Sequence, residues 1–293
     1  MSRETVGFIG LGDQGAPMAR NLAKAGHDLV VLDLREAALA PFRQAGISVA
    51  RSVSDVASQA DVVAICVLDD AQVNAVVQGE QGLLASMKAG GLLLLHSTVS
   101  PELAISLAAD AKERDIDFLD APVSGSRDAR ESGHLTIFCG GSDKAFKRAR
   151  PWLEAVGRKI ELVGGAGSGQ LCKICNNLML YCNALTSLES ARLAEAYGID
   201  EKLMVDMALA SSGSSWALQE WGFLDRLMTH HPLATSQNAV LDFLEKDLKL
   251  ANHAAALRSV PMPMTTRALE IMRSSLIERH ARATAGSAAD GAA

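Results

Sequence analysis

No apolar stretch in this 293-residue chain reaches the roughly 20 residues that a membrane-spanning helix needs. No long run of lysine and arginine is present. With 28 basic and 34 acidic residues the formal charge is −6 and the pI is near 5.7. That balance argues against nucleic acid and against a membrane surface as partners. Cysteine is sparse: Cys66, Cys139, Cys172, Cys175 and Cys182. An odd count in a long chain does not suit a disulfide framework. Cys172 and Cys175 form a CxxC, but no second CxxC or CxxH accompanies it, so the pair reads as small apolar residues packed on a helix. His230-His231 lacks acidic or cysteine neighbours at ligand spacing and reads as a surface loop before Pro232, so no metal is expected. There is no internal repeat.

The chain is 48% hydrophobic and 21% charged, which suits a soluble globular protein with a sizeable core. Its length suits two domains or one large one. An apolar run begins at Val6, which leaves no room for a signal peptide in this sequence, and a cytoplasmic location is expected.

That run, Val6–Ile9, is followed by Gly10-Leu11-Gly12-Asp13-Gln14-Gly15 and then by Ala16, Met18, Ala19, Leu22 and Ala23 at helical spacing. A strand, a GxGxxG turn and a helix in that order form the phosphate cradle of a dinucleotide-binding fold. Gly10 permits the tight turn, Gly12 lets backbone approach a pyrophosphate, and Gly15 lets the helix pack on the strand. The helix N-terminus offers N–H groups and a positive dipole end to the phosphates. A second apolar run, Leu29–Leu32, ends in Asp33, placed to grip ribose hydroxyls and to favour NAD over NADP. Arg35, two residues on, partly offsets that preference, so NADP stays the alternative.

Strand-like runs recur at Val62–Val67, Leu92–Leu95, Phe118–Asp120, Leu135–Cys139 and Ile160–Val163, with helical stretches such as Ala16–Ala25 and Pro101–Arg114 between them. The alternation predicts an α/β, Rossmann-type, doubly wound parallel sheet over residues 1–164. After Gly164-Gly165-Ala166-Gly167 the spacing is helical: Ser168 towards Tyr197, Glu201–Ala210, Ala239–Leu257 and Thr265–His280. An all-α domain over 165–280 is expected, entered through a long bridging helix. Residues 281–293, small and polar, read as a flexible tail.

A nicotinamide enzyme leaves hydride chemistry to its cofactor and needs from its protein a substrate hold and one proton-transfer group. Two segments suit this. Asp120-Ala121-Pro122-Val123-Ser124-Gly125-Ser126 follows a strand; amides near Ser124 and Gly125, with the Ser124 hydroxyl, could hold a carboxylate, although the residues alone favour a plain polar turn with a helix cap. In Gly167–Asn177, Lys173 interrupts an apolar helix and Asn177 lies four residues on, on the same face. A desolvated lysine can act as a base near neutral pH; a lysine that packs its stem and hydrates its head is the other reading. A third segment, Leu244–Ala251, places Lys246 either at a cleft or on the solvated side of an amphipathic helix.

Together these motifs resemble the β-hydroxyacid dehydrogenase family, which includes 3-hydroxyisobutyrate dehydrogenase and tartronate semialdehyde reductase. GFIGLGDQGAPMARNL resembles its cofactor signature, FLDAPVSGS with SGHLTIFCGG its substrate block, GAGSGQLCKICNN its catalytic block, and FLEKDLKLA a C-terminal cofactor-contact block. The resemblance implies hydride transfer between NAD and a small anionic β-hydroxy acid, with Lys173 as general acid/base. It implies substrate contacts at Ser124, Gly125, Ser126, Asn177 and Asn176, with Arg127 as a further candidate. It implies cofactor contacts at Gly10, Leu11, Gly12, Asp13, Gln14, Gly15, Asp33, Leu34, Arg35, Val67, Leu68, Thr98 and Lys246, and a homodimer or homotetramer built through the helical part.

The chain departs from the family pattern at Asp13-Gln14, where a methionine is common, and at His96, where an aspartate is frequent. Ser126 replaces a glycine, and Arg127 and Arg130 occupy positions that are usually small. Those two arginines read either as readers of a second anionic group on the substrate or as solvated loop residues. An imine reductase and a non-catalytic NAD-binding module of the same fold are the rival readings, and the presence of Lys173 counts against both.

Overall fold

The computed structural model describes residues 4–230 and 236–290, and side chains of all of these except 230 and 283–290. His231 and Pro232 therefore lie outside the described residues. The chain divides into two compact units, Met1–Lys173 and Ile174–Ala293.

Among the described residues of the first unit nine strands form one sheet: β1 (Val6–Ile9), β2 (Leu29–Leu32), β3 (Ser48–Val49), β4 (Val62–Ile65), β5 (Leu92–Leu95), β6 (Asp117–Asp120), β7 (Val123–Ser124), β8 (Leu135–Gly141) and β9 (Gly157–Gly164). The order is β3-β2-β1-β4-β5-β6-β8-β7, with β9 also paired to β8. The helices are α1 (Gly15–Lys24), α2 (Glu36–Gln44), α3 (Val53–Gln59), α4 (Asp70–Gln78), α5 (Leu83–Ser86), α6 (Pro101–Lys112), α7 (Arg127–Glu131) and α8 (Asp143–Val156).

The central strands read as unbroken apolar runs because both faces of the sheet are covered. Along β1, Phe8 packs into one core with Val31, Ala64 and Leu94, while Ile9 turns to the other core with Val30, Ile65 and Leu95. The sheet is not wholly parallel. β8 runs antiparallel to β6 and to β7, and the two-residue strands β3 and β7 have no sequence run long enough to announce them. β4 stops at Ile65 rather than Val67 because the Val67 amide donates to Ser97 Oγ at 2.8 Å.

The second unit is helical. α9 (Ser168–Ala196) begins in the first unit, and the division of the chain falls within it. It is followed by α10 (Glu201–Leu209), α11 (Trp216–Gln219), α12 (Phe223–His230), α13 (Gln237–Ala256) and α14 (Pro263–Asp290). Leu185 and Leu188 of α9, Leu244 and Leu248 of α13, and Met272 and Leu276 of α14 close one core. α14 continues to Asp290, into the 281–293 segment that composition assigns to a tail; its alanines are the strongest helix formers. Residues 291–293 lie outside the described residues.

Candidate active site

The glycine turn joins β1 to α1. Gly10 has φ +95°, and a Cβ there would strike the Cys66 carbonyl; a Cβ at Gly15 would strike the Gly10 carbonyl. A Cβ at Gly12 would meet nothing within 4 Å, so this side of the turn is open to an approaching group. No side chain caps α1, whose third residue, Pro17, has no N–H to satisfy. An open backbone turn ahead of an uncapped helix N-terminus fits a pyrophosphate.

Asp33 is 8% exposed at its side chain and already engaged. Its Oδ2 accepts from the Leu11 amide at 2.7 Å and from Arg35 Nη2 at 3.2 Å; its Oδ1 accepts from the Arg35 amide at 2.8 Å and Arg35 Nε at 3.0 Å. Those four bonds fill the four lone-pair directions of a carboxylate. Asp33, expected at the ribose hydroxyls, is here paired with Arg35, whose side chain is half-exposed. Burial pushes the Asp33 carboxyl up, but the bonds from Arg35 and from the Arg35 and Leu11 amides outweigh it and hold the pKa below its ordinary value. Leu34 is fully exposed, Val67 and Thr98 are half-buried, and the Leu68 amide is held by Gln72 Oε1 at 3.1 Å.

Ser124 ends β7, opposite Thr136. Gly125 follows it, exposed, and Ser126 caps α7 by accepting from the Ala129 amide at 3.3 Å. Arg127 is exposed in the first turn of α7. Arg130 is not a solvated loop residue: its side chain is 14% exposed, and its guanidinium binds both carboxylate oxygens of Asp13, 117 positions away, with Nη2 to Oδ1 at 2.9 Å.

Lys173 lies on the second turn of α9 and is 8% exposed. The start of that helix is fixed by two side chains the sequence reading did not assign. Asp120, at the end of β6 and fully buried, accepts from the Gly167 amide at 2.8 Å and the Gln170 amide at 2.9 Å. It is an N-cap supplied from the sheet. Gln170, also fully buried, donates from Nε2 to the Ser97 carbonyl at 2.9 Å and accepts from the Val99 amide at 3.0 Å. Gly169 is obligatory here, because a Cβ would lie 2.6 Å from Asp120 Oδ2. Burial lifts the Asp120 carboxyl to about 6, against the amides of Gly167, Gln170, Asp120 itself and Gly169.

One turn beyond Lys173 on α9, Asn177 is buried and donates from Nδ2 to Asp247 Oδ2 at 2.6 Å, and the side chain of Asn176 donates to Asn177 Oδ1 at 3.0 Å. Lys246 Nζ lies 3.0 Å from Asp247 Oδ1. Asp247 thus orients Asn177 and holds Lys246. Its signal in the sequence is an acid three residues after Leu244, on the buried stripe of α13.

Cys175 is exposed and Cys172 half-buried, so packing does not account for the CxxC as expected; among the described residues the five cysteines form no disulfide. Among the described residues no cluster of His, Cys, Asp and Glu could hold a metal ion.

Two family models match the chain. One, the NAD-binding domain of 6-phosphogluconate dehydrogenase, matches residues 5–165; the other, described as the NAD-binding part of NADP-dependent 3-hydroxyisobutyrate dehydrogenase, matches 167–289. An NAD-dependent L-serine dehydrogenase of Pseudomonas aeruginosa is 37% identical over 94% of this chain and 93% of its own. The mitochondrial 3-hydroxyisobutyrate dehydrogenase of Mus musculus is 34% identical over 93% and 82%. A crystal structure of 3-hydroxyisobutyrate dehydrogenase from Salmonella typhimurium superposes with a TM-score of 0.80 at 28% identity, covering 94% of this chain and 99% of that one.

Proposed function

We propose a reaction from one premise: the chain belongs to the β-hydroxyacid dehydrogenase family. It is an oxidoreductase that acts on the hydroxyl-bearing carbon of a β-hydroxy acid with NAD, and NADP is the alternative cofactor. The substrate we assign is a small hydroxy acid of the size of serine or 3-hydroxyisobutyrate.

When bound, a nicotinamide would supply the hydride acceptor. Lys173 Nζ, neutral, takes the proton of the substrate hydroxyl as that carbon loses hydride; in the reverse direction the ammonium returns the proton to the carbonyl oxygen. Ser124 and Gly125 hold the carboxylate through the hydroxyl and backbone N–H groups. We assign to Asn177, its amide fixed by Asp247, the orienting of the substrate, and to Lys246, paired with Asp247, a cofactor contact. The observation that carries the reading is a buried lysine on a helix whose first turn is fastened by Asp120 and Gln170. Proton transfer by a positioned group contributes about 10²–10⁴ in rate. Lys173→Ala should therefore lower kcat by at least about a hundredfold while NADH still binds. NADH absorbance with a panel of β-hydroxy acids reads this, and a variant with undiminished turnover overturns the assignment.

Among the described residues no helix is long and apolar enough to cross a membrane. A cytoplasmic site of action and a homodimer or homotetramer complete the proposal. The oligomer is supported by Met179, Leu193, Tyr197, Leu203 and Met207, all more than half exposed on α9, α10 and the turn between them.

A further inference from the structure

A carboxylate is an unfavourable group in a turn that receives a dinucleotide pyrophosphate, because like charges there oppose binding. Asp13 is such a group, set between Gly12, whose side is open, and Gln14 at the uncapped start of α1. Arg130 meets it with a two-pronged ion pair. The arginine is not a loose loop residue. Its carbonyl accepts from Asn21 Nδ2 at 2.9 Å, and its neighbour Glu131 pairs with Arg20 at 2.9 Å, so α7 is fastened along α1. Two polar atoms of this cluster, Gln14 Oε1 and Arg130 Nε, are buried without a hydrogen-bond partner among the described residues.

We propose that Arg130 sets the affinity for the dinucleotide: it cancels the Asp13 charge at the pyrophosphate turn. The pair explains why an acid is tolerated at position 13 and assigns Arg130 to the cofactor rather than to a second anionic group on the substrate. The proposal rests on the dehydrogenase reading above.

Direct titration with NADH, read by nicotinamide fluorescence in the absence of hydroxy acid, separates the two. Arg130→Gln should weaken NADH binding by about tenfold, the size of one charge contact at a partly buried site, and by more at low salt than at high. Arg130→Lys, which keeps the charge, should stay within about threefold of wild type, and Asp13→Asn should bind equally or more tightly. The double variant Asp13→Asn/Arg130→Gln should return to within about threefold, because no charge is left to cancel. KM for the hydroxy acid at saturating cofactor should not move in any of them. Unchanged NADH binding in Arg130→Gln overturns the proposal. So does a double variant as weak as Arg130→Gln, which marks a merely structural role, or a rise confined to the hydroxy-acid KM. If Arg130→Gln does not fold, weaker binding by Asp13→Asn overturns it instead. A wild-type chain that binds neither NADH nor NADPH overturns the dehydrogenase reading itself.

Discussion

Replacing His96 by asparagine tests how this sheet buries charge. His96 follows β5, is 5% exposed, stacks on Phe8 with ring centroids 6.4 Å apart, and donates from Nδ1 to the Ala121 carbonyl at 2.7 Å. Burial pushes its pKa from 6.5 down to about 4, the bond to Ala121 opposing only in part. The unfolded chain therefore takes up a proton below about pH 6.5 that the folded chain declines. Stability from this group is whole above pH 6.5 and is lost as pH falls through about 4. At roughly 1.4 kcal/mol per pH unit the whole interval is worth roughly 3 kcal/mol, and roughly 2 kcal/mol is already gone by about pH 5.

Asp120 acts with the opposite sign. Its carboxyl is lifted by burial from 3.8 to about 6, so its contribution is whole below pH 3.8 and is lost as pH rises through about 6. The two nearly cancel in the wild type between about pH 4 and 6. Asparagine at 96 keeps a donor for Ala121 and removes the titration. All other ionising groups are common to both proteins and drop out of the difference. Urea unfolding at about pH 7.5 and about pH 5 should show the variant gaining roughly 2 kcal/mol on wild type as pH falls, on top of a constant cost for the lost ring stacking. A difference that does not change with pH refutes the reasoning.

Asp120→Asn should show the mirror image in the same experiment, losing ground to wild type as pH falls from about 6 towards 4; a parallel pH profile would count against a raised Asp120 pKa. Arg35→Ala should free the Asp33 carboxylate for ribose hydroxyls and remove a cation that suits a 2′-phosphate. The ratio of kcat/KM for NAD over NADP should then rise by about tenfold, and an unchanged ratio would assign Arg35 no part in the choice.

The parts of this protein that a sequence shows are those whose cause is local. The glycine turn, the apolar strands and the amphipathic helices each carry their reason within a few residues, and β1, β2, β5 and α1 are found where the pattern puts them. β3 and β7, two residues each, are shorter than any period that could reveal them. What escapes is the pairing of distant polar groups. Asp120 appears in the sequence only as the start of a loop, since its donors lie 47 and 50 positions on. Asp13 looks anomalous until Arg130 arrives from 117 positions away. Asp33 was legible as an acid in the expected place, but not as an acid already occupied by its own neighbour.

The fastening of α9 by Asp120 also governs how such a chain can be cut and recombined. A fragment ending at Gly164 contains all nine strands, yet it lacks the Gly167 and Gln170 amides that Asp120 requires, and it would carry a buried carboxylate without them. The smallest piece with a finished sheet extends at least to Gln170. Any exchange of halves between relatives that respects this need crosses the chain inside or beyond the first turn of α9, within three residues of Lys173 or past it. A join placed one or more turns further on carries Lys173 with the nucleotide-binding half, so new helical partners could be tried without disturbing the socket that holds the start of its helix.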